Sequence, residues 1–185
     1  MIETLFINAC ARKNSRTLEL ANHLLNNLSS VVEEVKLYDL KLSPVDENII
    51  NLRDEAAKNK DFSNEIFFLA KQFANASRIV VAAPYWDLSF PSVVKSYFEA
   101  VTVNGITFAY GENGIPKGLC KAKSLIYVTT SGGPIIHNMG YEYIATIAKA
   151  FYGINEVKCI SAEGLDIYGA NVEEILKQAK KSAKF

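Results

Sequence analysis

Short apolar runs alternate with helical patterns along most of this chain. The runs cover residues 4–9, 78–83, 124–130 and 156–162, with a weaker one at 31–40. Between and after them, apolar residues recur at the i, i+3, i+4 spacing of amphipathic helices that begin near Leu18, Ile66, Val94, Ile144 and Val172. Near-continuous apolar strands alternating with helices predict an α/β fold, in which a parallel sheet is covered on both faces. Five such units predict the doubly wound strand order 2-1-3-4-5.

The chain length is typical of one domain. Its 185 residues contain no internal repeat and no low-complexity linker, so residues 1–185 are expected to form a single domain. The longest irregular region, residues 41–63, is polar and is expected to hold a short helix over residues 46–58.

Charge and cysteine usage argue against several classes of protein. Lys plus Arg and Asp plus Glu both number 20, whereas a nucleic-acid-binding surface usually needs a basic excess. Cys10, Cys120 and Cys159 are far apart and form no C-x-x-C pair, which disfavours a zinc site or a disulfide framework and predicts free core thiols. No apolar run approaches the roughly 20 residues that span a bilayer, and the first residues do not resemble a signal peptide. We therefore expect a cytoplasmic protein with no resident metal and no nucleic-acid or membrane partner.

The loop after the first apolar run carries the first candidate site. Open α/β sheets bind ligands at the carboxyl ends of their strands. Arg12, Asn14, Ser15 and Thr17 crowd the start of a predicted helix there, where hydroxyls and unpaired amides suit a phosphate. The alternative is that Asn14 or Ser15 only caps the helix. The chain has no G-x-G-x-x-G and no Walker A lysine motif, so dinucleotide and P-loop sites are disfavoured.

The turn after residues 78–83 carries an aromatic cluster. Tyr85, Trp86 and Leu88 surround Asp87, and Trp86 is the only tryptophan of the chain. A planar ligand needs apolar faces to stack on and backbone groups at its edge, and this turn offers both. The alternative is a hydrophobic lid over the end of the sheet.

A glycine pair follows residues 124–130. Gly132 and Gly133 allow the backbone to approach a ligand closely, and His137 lies shortly beyond them. The alternatives are an ordinary turn and a histidine with no catalytic role. A phosphate site, an aromatic platform and a glycine-rich rim on successive strand ends together predict a pocket for flavin mononucleotide (FMN).

Longer motifs give a family resemblance along nearly the whole chain. The segment APYWDLSFPSVVKSYFEAVTVNGITFAYGENGIPKGLCKAKSLIYVTTSGGP (83–134) and the later SAEGLDIYG (161–169) resemble the FMN-dependent NADH:quinone oxidoreductases, or azoreductases. The resemblance implies a flavodoxin-like fold. It also implies two-electron ping-pong transfer from NADH or NADPH to a quinone, azo or nitroaromatic compound, in a homodimer whose active sites are completed by the partner subunit.

The resemblance also implies roles for individual residues. Residues 15–17 would hold the FMN phosphate, residues 85–88 would line the isoalloxazine ring, and residues 130–133 would border its pyrimidine end. The full expected cofactor-binding set is Ala9, Arg12, Ser15, Arg16, Thr17, Pro84, Tyr85, Trp86, Asp87, Leu88, Thr130, Ser131, Gly132 and Gly133. The expected catalytic residues are His137 and Tyr110, of which Tyr110 matches an aromatic residue near the substrate.

Three positions depart from the family pattern. Asp87 stands where asparagine is common, Ser131 replaces an arginine of some relatives, and His137 lies further beyond the glycine pair than the usual histidine.

Two other classes of function stay open. A flavodoxin-type electron carrier is disfavoured because such carriers are usually acidic. A flavin-free binding or regulatory domain lacks the acidic pair of a receiver, since Asn8 and Ala9 follow the first run. A hydrolase would need a G-x-S-x-G elbow, which is absent.

Overall fold

A computed structural model describes residues 2–183 and contains a five-stranded parallel sheet. The strands of the described residues, numbered along the chain, are β1 (Ile2–Asn8), β2 (Val32–Lys36), β3 (Ala76–Ala82), β4 (Phe108–Tyr110), β5 (Pro116–Gly118), β6 (Ser124–Thr130) and β7 (Glu156–Ala162). Of these, β4 and β5 lie outside the five-stranded sheet and pair with each other in an antiparallel hairpin. The sheet order is β2-β1-β3-β6-β7, which confirms the predicted order 2-1-3-4-5. Phe6 of β1 lies beside Val80 of β3, and Val80 lies beside Ile126 of β6, so the central strands are in register across their buried middle.

Helices cover both faces of the sheet. They are α1 (Arg16–Asn26), α2 (Glu47–Asn59), α3 (Phe68–Asn75), α4 (Ser92–Val101), α5 (Met139–Ile147) and α6 (Val172–Ser182). On one face, Leu20 and Leu24 of α1 and Leu176 of α6 are buried with the sheet residues Val80 and Ile126. Full burial of a large apolar side chain stabilises a fold by about 1.5–3 kcal/mol, so these helices are held mainly by that contact.

The other face carries an aromatic core. Phe73 of α3 and Phe98 of α4 contact Tyr152, with ring centroids 4.9 and 6.3 Å from it. Tyr152 ends a π-helical turn over Ala148–Tyr152 that continues α5. The sequence patterns do not predict this turn.

Two segments follow the sequence predictions only partly. The weak run at 31–40 forms the shorter strand β2, and a 3₁₀ turn follows at Leu37–Asp39. The irregular region does hold a helix, α2, which Asp46 caps by accepting a hydrogen bond from the Ile49 amide at 3.0 Å. The hairpin of β4 and β5 was not predicted, because three residues in each strand are too few to show an alternating pattern.

The cysteines are free, as predicted, but they are not core residues. Cys10 and Cys120 are half-buried, and Cys159 on the edge strand β7 is exposed. Within residues 2–183 no helix is both long and apolar enough to cross a membrane. The same residues include no cluster of three or more His, Cys, Asp or Glu side chains placed to hold a metal ion.

Candidate functional site

A cavity of about 390 Å³ opens at the carboxyl ends of β1, β3 and β6. In this order β2 is added on one side of β1, whereas β3 and the later strands are added on the other side. Doubly wound proteins bind ligands at this switch point between β1 and β3. Its volume lies within the range of about 300–1,000 Å³ for small-molecule sites. The lining residues are Ala11, Arg12, Asn14, Ser15, Arg16, Thr17, Pro84, Tyr85, Trp86, Thr130, Ser131, Gly132, Leu165 and Asp166. The three loops selected from the sequence therefore meet in one place.

A larger groove of about 1,110 Å³ runs between α1 and α6. It lies along the two helices, away from the strand ends, and shares with the smaller cavity only the residue Arg16. We take the smaller cavity as the functional site because the backbone amides, hydroxyls and aromatic rings converge there.

The start of α1 forms one end of the cavity, which we call the phosphate end (residues 12–17). The Ser15 hydroxyl caps the helix by accepting a hydrogen bond from the Leu18 amide at 3.3 Å, and a role of Ser15 toward a ligand stays a prediction. The amides of Arg16 and Thr17 have no intrahelical carbonyl to pair with, because they lie in the first turn. Arg12 makes no ion pair or hydrogen bond in the part of the chain that the structure describes. Anion-binding groups are thus free at this end.

Two predicted residues of the phosphate end already have side-chain partners. The Thr17 and Thr130 hydroxyls are 2.6 Å apart and buried, so they join α1 to β6. The Arg16 guanidinium donates from Nη2 to Asp166 Oδ1 at 2.8 Å and from Nη1 to the Leu165 carbonyl at 3.1 Å. Both contacts fasten the helix start to the loop after β7.

The aromatic cluster is a tight turn with positive φ at both central positions. The Trp86 amide donates to the Ser89 carbonyl at 3.1 Å, and the Ser89 amide donates back at 2.8 Å. Asp87 and Leu88 have φ values of +50° and +66°, the geometry of a type I′ turn. For a residue with a side chain the left-handed region costs roughly 1–2 kcal/mol. Neither the Asp87 nor the Leu88 amide donates a hydrogen bond within residues 2–183, so both can serve a ligand.

The two aromatic rings of this turn are held differently. The Tyr85 amide donates to the Thr130 carbonyl at 3.0 Å, and its phenol donates to the His137 carbonyl at 3.1 Å. Trp86 is 43 % exposed and lines the cavity. Tyr85 is therefore fixed by two bonds, while Trp86 presents an apolar surface to the cavity.

The glycine rim (residues 131–133) has its backbone carbonyls paired and two of its backbone amides free within the described chain. Its three carbonyls accept hydrogen bonds from the amides of residues 164–166 at 2.8–3.2 Å. The amides of Gly132 and Gly133 donate to no group in the described chain. Because the carbonyls are occupied by the loop after β7, the groups left for a ligand are donors.

The remaining predicted residues lie beside the cavity or outside it. Ala9 is fully buried and continues β1 by donating to the Ala82 carbonyl at 2.8 Å. Asp87, Leu88 and Gly133 adjoin lining residues but do not line the cavity themselves. The catalytic roles of His137 and Tyr110 stay predictions, because neither side chain lines the cavity.

His137 and Tyr110 make other contacts in this chain. The His137 Nε2 atom lies 3.0 Å from Glu142 Oε2 on α5, and both side chains are largely exposed. Tyr110 is 58 % exposed on the hairpin of β4 and β5, where its ring packs edge-on against Phe108 at a centroid distance of 5.2 Å.

Sequence reasoning missed Leu165 and Asp166 as lining residues. They follow β7, and the rule that ligands bind beyond strand ends applies to this loop as well. The signal was therefore present, but the loop has neither the aromatic cluster nor the glycine pair that marked the others.

The thiol nearest the site is not an anion near neutral pH. Burial raises the pKa of Cys10; a hydrogen bond with Ser15 opposes this effect, and Glu34 adds to it. Nucleophilic cysteines have lowered pKa values. The site therefore gives no support to thiolate chemistry.

Comparison with known proteins agrees with this architecture. The chain belongs to the family described as Flavodoxin-like fold, which it matches over residues 3–184. It is 34 % identical over 197 residues to an FMN-dependent NADH:quinone oxidoreductase of Lachnoclostridium phytofermentans, covering 99 % of this chain and 96 % of the relative. It is 35 % identical over 199 residues to a protein of the same name from Coprothermobacter proteolyticus, covering 100 % and 97 %.

A solved structure has a similar fold. The crystal structure of azoreductase from Bacillus anthracis str. Sterne superposes with a TM-score of 0.84 at 26 % identity, covering 99 % of this chain and 97 % of that one. The family resemblance and the flavodoxin-like fold expected from the sequence are thereby confirmed.

Proposed function

We propose that this protein is an FMN-dependent NAD(P)H oxidoreductase that reduces quinones or azo compounds. The observation that carries the proposal is one cavity that joins the Arg12 guanidinium, backbone amides without a partner among residues 2–183 and an aromatic wall. The names of the relatives at 34 % and 35 % identity support the same activity. When bound, FMN would supply the two-electron hydride chemistry, and the protein would bind, orient and tune it.

The phosphate end fits the anionic part of this cofactor. Arg12 offers a positive charge that has no partner among residues 2–183, and the amides of Arg16 and Thr17 lie at the positive end of the α1 dipole. Ser15 caps the helix and can also place its hydroxyl near an anion. Charge-assisted hydrogen bonds of this kind contribute about 1.5–3 kcal/mol each.

The aromatic turn and the glycine rim fit the planar part. Trp86 and Tyr85 supply the apolar wall on which a ring system stacks. The free amides of Gly132 and Gly133 would donate to acceptor atoms on the ring edge. Donors at that position stabilise negative charge, so they favour the reduced state of the ring system.

The oligomeric state is part of the proposal. Met139, Tyr143, Ile147 and Phe151 line a shallow apolar cavity of about 410 Å³ on α5 and the π-helical turn, which we call the α5 stripe. Residues four apart share one face of a helix; on this face Met139 is exposed and the other three residues are half-buried. A contiguous apolar patch that is open to solvent marks an interaction site. We propose that a second copy of the chain covers this stripe. In such a dimer Tyr110 and His137, which do not line the cavity of their own chain, could reach the site of the partner.

The proposed location is the cytoplasm. Three free thiols are typical of a reducing compartment.

The test of the function is an anaerobic titration. The purified protein with FMN is mixed with NADH and, separately, with NADPH while the visible spectrum is recorded. Loss of the oxidised-flavin absorption within the mixing time, followed by its return on addition of a quinone, supports the proposal. A flavin spectrum that neither nucleotide changes would indicate an electron carrier, and failure to bind FMN would refute the site itself.

The aromatic wall can be tested with Trp86→Ala. Removing the ring should weaken FMN binding by at least about 0.5–1.5 kcal/mol, because offset stacking contributes that much in addition to the burial that is also lost. Trp86→Phe, which keeps an aromatic face, serves as the matched control. Equal dissociation constants for FMN in the wild type and Trp86→Ala would show that Trp86 does not contact the ring.

A further inference from the structure

Arg16 stands between two cavities. It lines the site cavity of about 390 Å³ and also one end of the groove of about 1,110 Å³ between α1 and α6. The groove continues from that point along α1 through His23 to Leu28, and α6 forms its opposite wall. The side chain of Arg16 therefore separates the phosphate end of the site from a larger open space.

Asp166 and Leu165 hold Arg16 in this position. The guanidinium bonds both the Asp166 carboxylate at 2.8 Å and the Leu165 carbonyl at 3.1 Å. Asp166 is itself positioned by its amide, which donates to the Gly132 carbonyl at 2.8 Å. Its Oδ2 atom lies so close to Gly132 that a Cβ atom there would overlap it. We call the Arg16–Asp166 ion pair, with the Leu165 carbonyl, the clasp.

The charge of Arg16 is already neutralised within the protein. Arg12, in the same loop, has no ion pair or hydrogen bond among the described residues. A phosphate entering this end would therefore find Arg12 free and Arg16 engaged with Asp166. The contacts of Arg16 suit the position of a wall better than that of a phosphate ligand.

We propose that the clasp determines specificity, so that the site accepts a flavin mononucleotide and rejects a flavin dinucleotide. This inference rests on the proposed function. The dinucleotide carries a second phosphate and an adenosine beyond the first phosphate, and these groups must leave the site at the phosphate end. The Arg16 side chain of the clasp lies where that end meets the groove between α1 and α6, so a ligand that extends into the groove must displace it. Selectivity then comes from obstruction of the larger ligand and not from better contacts to the smaller one.

The test measures dissociation constants on flavin-free protein. FMN, flavin adenine dinucleotide and riboflavin are titrated into the wild type, Arg16→Ala and Asp166→Ala, and the change in flavin fluorescence is followed. The wild type should prefer the mononucleotide over the dinucleotide. The preference should fall by at least about tenfold in Arg16→Ala through tighter binding of the dinucleotide, and by less in Asp166→Ala, where the arginine remains. The preference for FMN over riboflavin should persist in Asp166→Ala, because Arg12 still faces the phosphate.

Lys180→Gln is the matched control. The Lys180 Nζ atom lies 2.6 Å from Glu19 Oε1, so this ion pair joins α6 to α1 beside the groove. Lys180 does not line the site cavity. This variant should leave the preference between the two flavins unchanged. The Asp166 side chain is 67 % exposed, so its removal should leave the fold intact even if Arg16→Ala proves unstable.

The possible failures can be told apart. If the wild type does not bind FMN, the proposed function is wrong. If it binds both flavins equally, or if both variants keep the wild-type preference, the inference is wrong while the proposed function stands. If Arg16 bonds the phosphate directly, Arg16→Ala will weaken both flavins by the same factor, which also refutes the inference.

Discussion

Gly132 lies where the functional cavity and the clasp meet. A Cβ atom on Gly132 would overlap Asp166 Oδ2, and the Gly132 amide donates to no group among residues 2–183. Gly133, the next residue, has open space around the position of a Cβ atom. Two adjacent glycines that look alike in sequence therefore have different reasons for lacking a side chain.

We predict that Gly132→Ala is less stable than Gly133→Ala by about 0.5–1 kcal/mol. The new methyl group must displace the Asp166 carboxylate from Arg16, and an exposed ion pair contributes up to about 1 kcal/mol. Urea unfolding of the two variants measures the difference, and the general effect of replacing glycine by alanine cancels between them. Equal stabilities would mean that the carboxylate moves without breaking the pair.

Leu88 shows the cost of holding a side chain at positive φ. Leu88→Gly should be more stable than Leu88→Ala by about 1 kcal/mol, because both remove the side chain but only alanine retains the penalty of the left-handed region. Urea unfolding again provides the measurement. If the alanine variant is as stable, the turn does not keep φ near +66° in solution, and the Leu88 amide would not be presented to a ligand.

The hairpin of β4 and β5 is an element held by its docking and not by its own length. Each strand has three residues, and an isolated hairpin is marginally stable in water. Gly118 packs directly against the backbone of Tyr152 and Gly153. Phe108 adds an edge-on contact with Phe151 at 5.0 Å. These contacts place Tyr110 beside the end of the α5 stripe.

Gly118→Ala should destabilise the protein by about 1–3 kcal/mol. A Cβ atom would overlap backbone atoms of Tyr152 and Gly153, which cannot rotate away, so the hairpin must lift from the π-helical turn. Gly111→Ala on the same hairpin is the control, since the nearest atom to its Cβ would be Asn113 Oδ1 at 3.3 Å. Unfolding free energies that do not differ between the two variants would show that the hairpin is loosely docked.

At the scale of the assembled protein, the two faces of the sheet carry different surface features. The face covered by α1 and α6 carries the groove behind Arg16, and the face covered by α4 and α5 carries the α5 stripe. The functional cavity lies at the strand ends between them. A second copy bound at the α5 stripe would leave the clasp accessible.

The dimer proposal predicts that Ile147→Glu is monomeric. A buried carboxylate without a partner is costly, so the charge should prevent two stripes from packing together. Lys149→Glu changes a neighbouring exposed residue that does not line the stripe, and it should remain dimeric. Sedimentation velocity at micromolar concentration distinguishes the two states. A wild-type protein that sediments as a monomer would refute the dimer proposal.

Local patterns were sufficient for the architecture. The apolar runs and helical spacings predicted the five strands, because burial on both faces of a parallel sheet leaves a signature within each segment. The doubly wound rule for five such units predicted their order. The strand-end rule then placed the loops of Arg12, Trp86 and Gly132 in one cavity. These conclusions need only neighbouring residues and a general rule of topology.

The remaining features depend on residues that are distant in the chain. Arg16 and Asp166 are separated by 150 positions, and nothing near either residue indicates that they pair. The exposure of Cys159 follows from the place of β7 at the sheet edge. A side chain acquires its partner and its exposure only when the strands and helices pack. Sequence patterns therefore indicated which loops line the candidate cavity, whereas packing in three dimensions defined its walls.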